Sequence, residues 1–229
     1  MTLEHATILL AAVTFLLAVL TVFGDRIRSL VWHPVLTLKA QMSSPEAHKT
    51  TMTRRGDAQI RTDCYYFLIR VENSGSTRAE NVELFVKDLK KRGIDEGYHS
   101  VGGFLPMNLL MSFTRQPVLK SLSPGLHKHC SLGHVIDPAH RREFPSETHP
   151  DFRGNVTQEG GATFVLDVEF QSNNLFHLLK PGEYEIGLTL AASNAKTSDW
   201  SLRITHIGVW SGNETEMFER GTSISLRRA

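Results

Sequence analysis

The sequence predicts an all-β fold class, a β-sandwich that follows one N-terminal transmembrane helix. Residues 6–24 form an uncharged apolar run. After Pro34, apolar residues alternate with polar ones in several short segments, and no segment shows a long helical period. The chain has 229 residues, which leaves enough length behind the helix for one sandwich. We therefore predict residues 1–34 as a transmembrane anchor with a juxtamembrane helix, and residues 35–229 as the β domain.

Charge and cysteine content restrict the classes of function. Lys and Arg number 25 against 24 Asp and Glu, so no strong overall field favours binding to nucleic acid. We expect no nucleic-acid partner. The two cysteines, Cys64 and Cys130, are too few for a disulfide scaffold and lack the paired spacing of a zinc motif. Whether they form one bridge depends on the compartment.

The uncharged run from Ala6 to Gly24 is long enough to cross a bilayer. Its 19 residues span close to a hydrocarbon core of about 30 Å at about 1.5 Å per residue. A cleaved signal peptide would need a basic start and a small-x-small site, and neither is present around residues 1–5 or 22–26. A buried core helix would normally keep a polar face. The run therefore predicts a single-pass membrane anchor, with the lipid bilayer as a partner.

The residues that follow this run predict its position and orientation. Arg26, Arg28 and Trp32 are expected to lie at the membrane interface, where basic and aromatic side chains anchor a helix, and Pro34 is expected to stop it. The segment before the run has no Lys or Arg. By the positive-inside rule, the β domain is predicted to be cytoplasmic.

Small residues within the run recur at alternating spacings of four and three. On a helix this spacing places them along one seam, where close approach between helices is possible. The seam consists of Thr7, Ala11, Thr14, Ala18 and Thr21. One interpretation is a homo-oligomer or a protein partner bound through the transmembrane helix. The other is chance, because Ala and Thr are common in any membrane span.

The rest of the chain predicts strands in chain order. Leu36–Ala40 predicts a short strand, and the polar residues after it, up to residue 61, predict a mobile loop. The clearest strand is Tyr65–Asn73, in which Phe67, Ile69 and Val71 form one face and are expected in the core. A Ser74-Gly75-Ser76 turn then leads to a strand in which Val82, Leu84 and Val86 share one face. Four later strands are predicted at Phe164–Phe170, Tyr184–Leu190, Leu202–Trp210 and Thr222–Leu226. The longest irregular segment, near residues 139–161, is where we expect binding.

The run Phe67-Leu-Ile-Arg-Val-Glu-Asn-Ser-Gly-Ser-Thr-Arg-Ala-Glu-Asn-Val-Glu-Leu-Phe-Val resembles the V-x-N-x-G … A-x-N-V-x-V-x-V pattern of CARDB-like and related immunoglobulin-like sandwiches. The resemblance covers about twenty residues and implies a fold rather than an activity. It implies an immunoglobulin-like β-sandwich in which Asn73 and Gly75 shape the turn. Such domains are usually accessory or binding modules.

No standard catalytic or phosphate-binding motif occurs in the sequence. The best cluster of chemical groups is His127, His129 and Cys130. The two histidines are expected to share one face of a strand, whereas strict alternation places Cys130 and His134 on the opposite face. This cluster is either a weak candidate metal site or a solvated, histidine-rich edge strand.

These observations favour a membrane-tethered protein-binding or scaffold module without catalytic activity. A place as a subunit of a membrane complex is one form of this role, and no cofactor is expected. The alternative is a metal-binding or metal-dependent hydrolytic domain that uses His127 and His129, because imidazoles are common zinc ligands.

Overall fold

The computed structural model describes residues 3–153, 161–171 and 173–229. Helix α1 spans Leu3–Val31, and the side chains described in it are those of residues 5, 7–19 and 21. The strands are β1 (Leu36–Lys39), β2 (Ala47–Arg54), β3 (Asp57–Asn73), β4 (Ala79–Arg92), β5 (Tyr98–Ser100), β6 (Met107–Asn108), β7 (Leu110–Met111), β8 (Val118–Leu122), β9 (His127–Ile136), β10 (Phe164–Leu166), β11 (Leu178–Leu179), β12 (Gly182–Ala192), β13 (Ala195–His206) and β14 (Thr222–Arg228). Short helical turns lie at Pro138–His140, Pro145–Glu147, Pro150–Arg153 and Glu214–Glu216, the last continuing as a π turn at Met217–Gly221.

In the described part of the chain, these strands form two antiparallel sheets of seven strands each. The first sheet has the order β1-β3-β9-β10-β11, with β2 also paired to β3 and β7 to β9. The second has the order β14-β13-β12-β4-β5, with β6 and β8 also paired to β4. The long strands β3 and β4 therefore organise one sheet each.

Apolar side chains from both sheets form one core, which confirms the predicted all-β class and is consistent with a β-sandwich. The alternating residues that the sequence placed inward on β3 and β4 are almost completely buried. They are Phe67, Ile69, Val71, Val82, Leu84 and Val86. Alternation predicted them because successive side chains of a strand point to opposite faces.

The turn between β3 and β4 connects the two sheets. Asn73 is buried, and its Nδ2 donates hydrogen bonds to the carbonyls of Thr77 at 2.8 Å and Leu122 at 3.0 Å. Its Oδ1 accepts a hydrogen bond from the backbone N–H of Gly75 at 3.0 Å. A Cβ atom at Gly75 would lie 2.3 Å from the backbone nitrogen of Val35, so only glycine fits there. Both residues shape the turn.

Three sequence predictions about strands were wrong, and one of them is the strand expected at Leu202–Trp210, which ends at His206. The expected mobile loop before residue 61 contains β2, an eight-residue strand paired to the first part of β3. Its sequence is mostly polar, so no apolar alternation marked it, and among the described strands it pairs with β3 alone. The strand expected at Phe164–Phe170 ends at Leu166, and Phe170 is 63% exposed.

Candidate functional site

Helix α1 exposes a large apolar surface. Seven of its described large apolar side chains are 46% to 72% exposed. They are Ile8, Leu9, Leu10, Val13, Phe15, Leu16 and Leu17. At about 100° per residue, they cover more than half of the helix circumference. A surface of this kind is unfavourable in water.

The small-residue seam occupies the remaining side of the same continuous helix. The described side chains of Thr7, Ala11, Thr14, Ala18 and Thr21 are all exposed. The hydroxyl of Thr14 donates to the Leu10 carbonyl at 2.8 Å, and that of Thr21 donates to the Ala18 carbonyl at 2.9 Å. Because these hydroxyl groups form hydrogen bonds within the helix, the seam has fewer free polar groups than its sequence indicates.

No helix in the part of the chain that the structure describes is both long enough and apolar enough to cross a membrane. Of the three expected interface residues, Trp32 directly follows α1 and is 55% exposed. The side chains of Arg26 and Arg28 lie outside the described residues.

The predicted metal cluster does not converge on one point. The rings of His127 and His129 lie 5.5 Å apart on one face of β9, as expected. Cys130 is completely buried in the core, with its Sγ 3.2 Å from the Sδ of Met111. Among residues 3–153, 161–171 and 173–229, no group of three or more His, Cys, Asp or Glu side chains could hold a metal ion.

His129 belongs to an ionic cluster instead. The Nε of Arg70 lies 3.2 Å from Oε1 of Glu46, and the Nε2 of His129 lies 3.7 Å from the same oxygen. Glu46 is only 1% exposed. Burial lowers the pKa of His129 more than the Glu46 charge raises it. The guanidinium of Arg70 supplies the positive charge for this carboxylate, so a metal ion is not needed there.

The expectation that His134 lies on the opposite face from His129 was wrong. Along β3, Arg70 pairs with His129 and Tyr66 pairs with His134. These two partners are four residues apart, so they share one face of the strand. On β9, Leu132 is an extra residue between the two registers. This β-bulge reverses the alternation and places His134 on the same face as His129.

His134 lies between two carboxylates. Its Nε2 is 3.1 Å from Oε2 of Glu147, and its Nδ1 is 3.2 Å from Oδ1 of Asp167. Burial opposes the charged imidazole, but the charges and contacts of Asp167 and Glu147 outweigh this effect and raise the pKa of His134 to about 10. At neutral pH His134 is therefore an imidazolium whose nitrogens both face carboxylates. It holds the segment that carries Glu147 against the sheet.

A cavity of about 710 Å³ opens above His134. We call it the His134 cavity. Its deep wall includes Asp167, which is 4% exposed, together with Glu147 and the half-buried Glu143. Three exposed arginines from two separate segments also line it: Arg54 and Arg55 from the β2–β3 hairpin, and Arg115 from the segment between β7 and β8. This size is typical of small-molecule sites.

Sequence reasoning identified only part of this site. The irregular segment near residues 139–161 was expected to bind, and Glu143 and Glu147 from it line the cavity; residues 154–160 lie outside the description. Arg141, from the same irregular segment, is 4% exposed, and its Nε donates to the Pro138 carbonyl at 2.7 Å. Sequence reasoning did not identify Asp167 as a site residue, because it was interpreted as a polar residue within an alternating strand.

Comparisons with protein-family models, curated proteins and solved structures found no match for this chain.

Proposed function

We propose that the chain is a membrane-tethered β-sandwich module that acts by binding another protein beside the bilayer, without catalysis. The observation that supports this function best is the apolar surface of α1. Ile8, Leu10 and Phe15 are each about 70% exposed. Burying seven large apolar side chains is worth roughly 10 kcal/mol or more, so an uncovered helix in water is strongly disfavoured.

The sequence favours the lipid bilayer as the environment that covers the apolar surface of α1. The run from Ala6 to Gly24 has no charge, and the hydroxyls of Thr14 and Thr21 in its seam bond to helix carbonyls. Trp32 is exposed directly after the helix, where an aromatic residue anchors a span at the interface. With Arg26 and Arg28 on this side, we propose that the β domain faces the cytoplasm.

The domain itself is proposed to be immunoglobulin-like. Its two antiparallel sheets share one core, and the β3–β4 turn that carries Asn73 and Gly75 links them. Domains of this architecture mostly act through their loops and edges. This favours a binding or scaffold role, including that of a subunit in a membrane complex.

Fractionation of cells that produce the full chain tests the membrane tether. We expect the wild-type chain to remain in the membrane pellet after an alkaline wash. The double variant Leu10→Lys, Leu16→Lys should move to the supernatant, because each Lys costs about 3 kcal/mol at the centre of a span. The control Ile94→Lys, Phe113→Lys adds the same charge at exposed positions of the β domain and should stay in the pellet. A wild-type chain found unprocessed in the supernatant would contradict the tether.

A separate experiment tests on which side of the membrane the β domain lies. Protease added to sealed inverted membrane vesicles should digest the β domain, whereas protease added to intact cells should leave it whole. The reverse pattern would place the domain outside the cytoplasm while leaving the tether in place.

Association through the seam can be tested with matched substitutions. If the helix forms a homo-oligomer, the double variant Ala11→Leu, Ala18→Leu should lose cross-linked dimers in membranes, because larger side chains prevent close approach. Ala12→Leu lies off the seam and should retain them. If the wild-type chain yields no dimers, the homo-oligomer is excluded and the seam remains available for another protein.

A further inference from the structure

Two carboxylates that line the deep wall of the His134 cavity each lack a hydrogen-bond donor, within the described chain, for one of their oxygens. Among the described residues, Oδ2 of Asp167 and Oε2 of Glu143 are buried and have no hydrogen-bond partner. Asp167 is 96% buried, and its other oxygen already pairs with His134. A buried carboxylate oxygen without a donor costs free energy. The cavity is therefore incomplete without a donor group from outside the described chain.

Charge decides which kind of donor fits. Glu143, Glu147 and Asp167 all line the cavity, and the imidazolium of His134 is the cation that pairs with this wall. The wall therefore carries an excess of negative charge. A positively charged donor satisfies both the oxygens and the charge, and a primary ammonium supplies three N–H groups. A neutral hydroxyl would satisfy only the oxygens.

The outer part of the cavity has the opposite character. The side chains of Arg54, Arg55 and Arg115 are exposed, and none forms an ion pair with a described residue. Guanidinium groups bind carboxylates in a bidentate manner. Among the described residues, the cavity therefore has carboxylates that lack donors at its deep end and guanidinium groups without ion pairs at its outer end.

We propose that the His134 cavity binds a small zwitterion, an amino acid or short peptide whose ammonium group contacts Asp167 and Glu143 and whose carboxylate contacts the outer arginines. The apolar side chains of Met52 and Phe144 also line the cavity and would contact the body of the ligand. A metal ion fits less well, because both nitrogens of His134 face carboxylates and Arg115 lies in the same cavity.

This site lies far from the helix. Arg54 pairs with Asp57 at the start of β3, whereas the segment after α1 contacts Asn73 at its end. Tyr66 of β3 also lines the cavity, and it is seven residues from Asn73, so roughly 23 Å of strand separates the cavity from the turn that contacts the segment after α1. The proposal does not depend on the membrane tether, and either can fail alone.

Calorimetric titration of the full chain in detergent micelles tests the proposal. The probes are glycine, diglycine, triglycine and tetraglycine, which vary the separation between ammonium and carboxylate. We expect saturable binding of at least one member. The N-acetylated form of that peptide should bind at least tenfold more weakly because the ammonium is lost, and its C-terminal amide should also bind more weakly.

Variants that leave the His134 ion pairs intact assign the contacts. Glu143→Gln and Arg115→Ala should each weaken binding of the best peptide about tenfold or more. Asp199→Asn, which removes an exposed carboxylate elsewhere on the domain, should leave binding unchanged. Thermal unfolding of each variant should match the wild-type chain. If no probe binds, or if acetylation and Glu143→Gln have no effect on binding, the proposal is wrong.

Discussion

The side-chain oxygen of Asn73 accepts a hydrogen bond from the backbone N–H of Val35 at 3.2 Å. This bond joins the segment that leaves helix α1 to the turn that links the two sheets. The carbonyl of Val35 in turn accepts a hydrogen bond from the backbone N–H of Ser74 at 2.9 Å. The connection between helix and domain is therefore a fixed contact at this point, rather than a free linker.

Replacing Asn73 by Asp should destabilise the β domain by about 3 kcal/mol. Asp keeps the acceptor for Val35 but loses both donors, so a buried carboxylate would face the carbonyls of Thr77 and Leu122. Thermal unfolding of the full chain in detergent, followed by circular dichroism, measures the effect. The exposed Asn81→Asp is the control and should change stability little. Equal unfolding temperatures for the two variants would contradict this role of Asn73.

Gly75→Ala should destabilise the domain by about 2 kcal/mol and loosen the connection after α1. Its Cβ would lie 2.3 Å from the nitrogen of Val35 and 2.4 Å from the oxygen of His33, and these backbone atoms cannot move aside cheaply. Limited proteolysis should cleave near residues 32–36 faster in the variant. Gly102→Ala, where an added Cβ meets nothing within 4 Å, should behave like the wild-type chain.

His134 should make stability depend on alkaline pH. Its pKa is raised to about 10 in the fold, above the value of about 6.5 in an unfolded chain. The stabilisation from its charge is therefore complete below about pH 6.5 and lost as pH rises through about 10. Unfolding measured across this range should show a decline in the wild-type chain that His134→Asn lacks.

At pH 6, His134→Asn should cost about 3 to 5 kcal/mol, because Glu147 and Asp167 then lose their cation. His127→Asn serves as the control, since His127 is exposed. The same slope in wild-type and His134→Asn chains would show that another group causes the pH dependence.

Both cysteines should be unreactive in the folded chain. Cys64 and Cys130 are completely buried and free, and burial raises the pKa of both thiols. They lie opposite Ile136 and Ile69 on neighbouring strands, so about 17 Å of β3 separates them and a disulfide between them is excluded. A thiol reagent should modify neither cysteine in the native chain and both after denaturation. Rapid labelling of either without denaturant would contradict this burial.

The fold could be predicted where local alternation was strong. Val82, Leu84 and Val86 recur at every second position, and all three lie in the core. The polar strand β2 could not be predicted, because it forms through hydrogen bonds to β3 and its own sequence has no apolar alternation. The residues of the candidate site were harder to predict than the strands. A single extra residue, Leu132, forms a β-bulge that places His134 on the other face of β9. The position of a β-bulge cannot be predicted from strict alternation.

The sequence alone determined the uncharged apolar run, the all-β class of the remainder and the inward residues of β3 and β4. These properties depend on composition and on periods of a few residues, which a chain displays without folding. Only the tertiary structure decided that Glu147, His134 and Asp167 meet beside a cavity. Their contacts join segments distant in sequence, and sheet register, a bulge and burial together fix which atoms face each other and how strongly their charges interact.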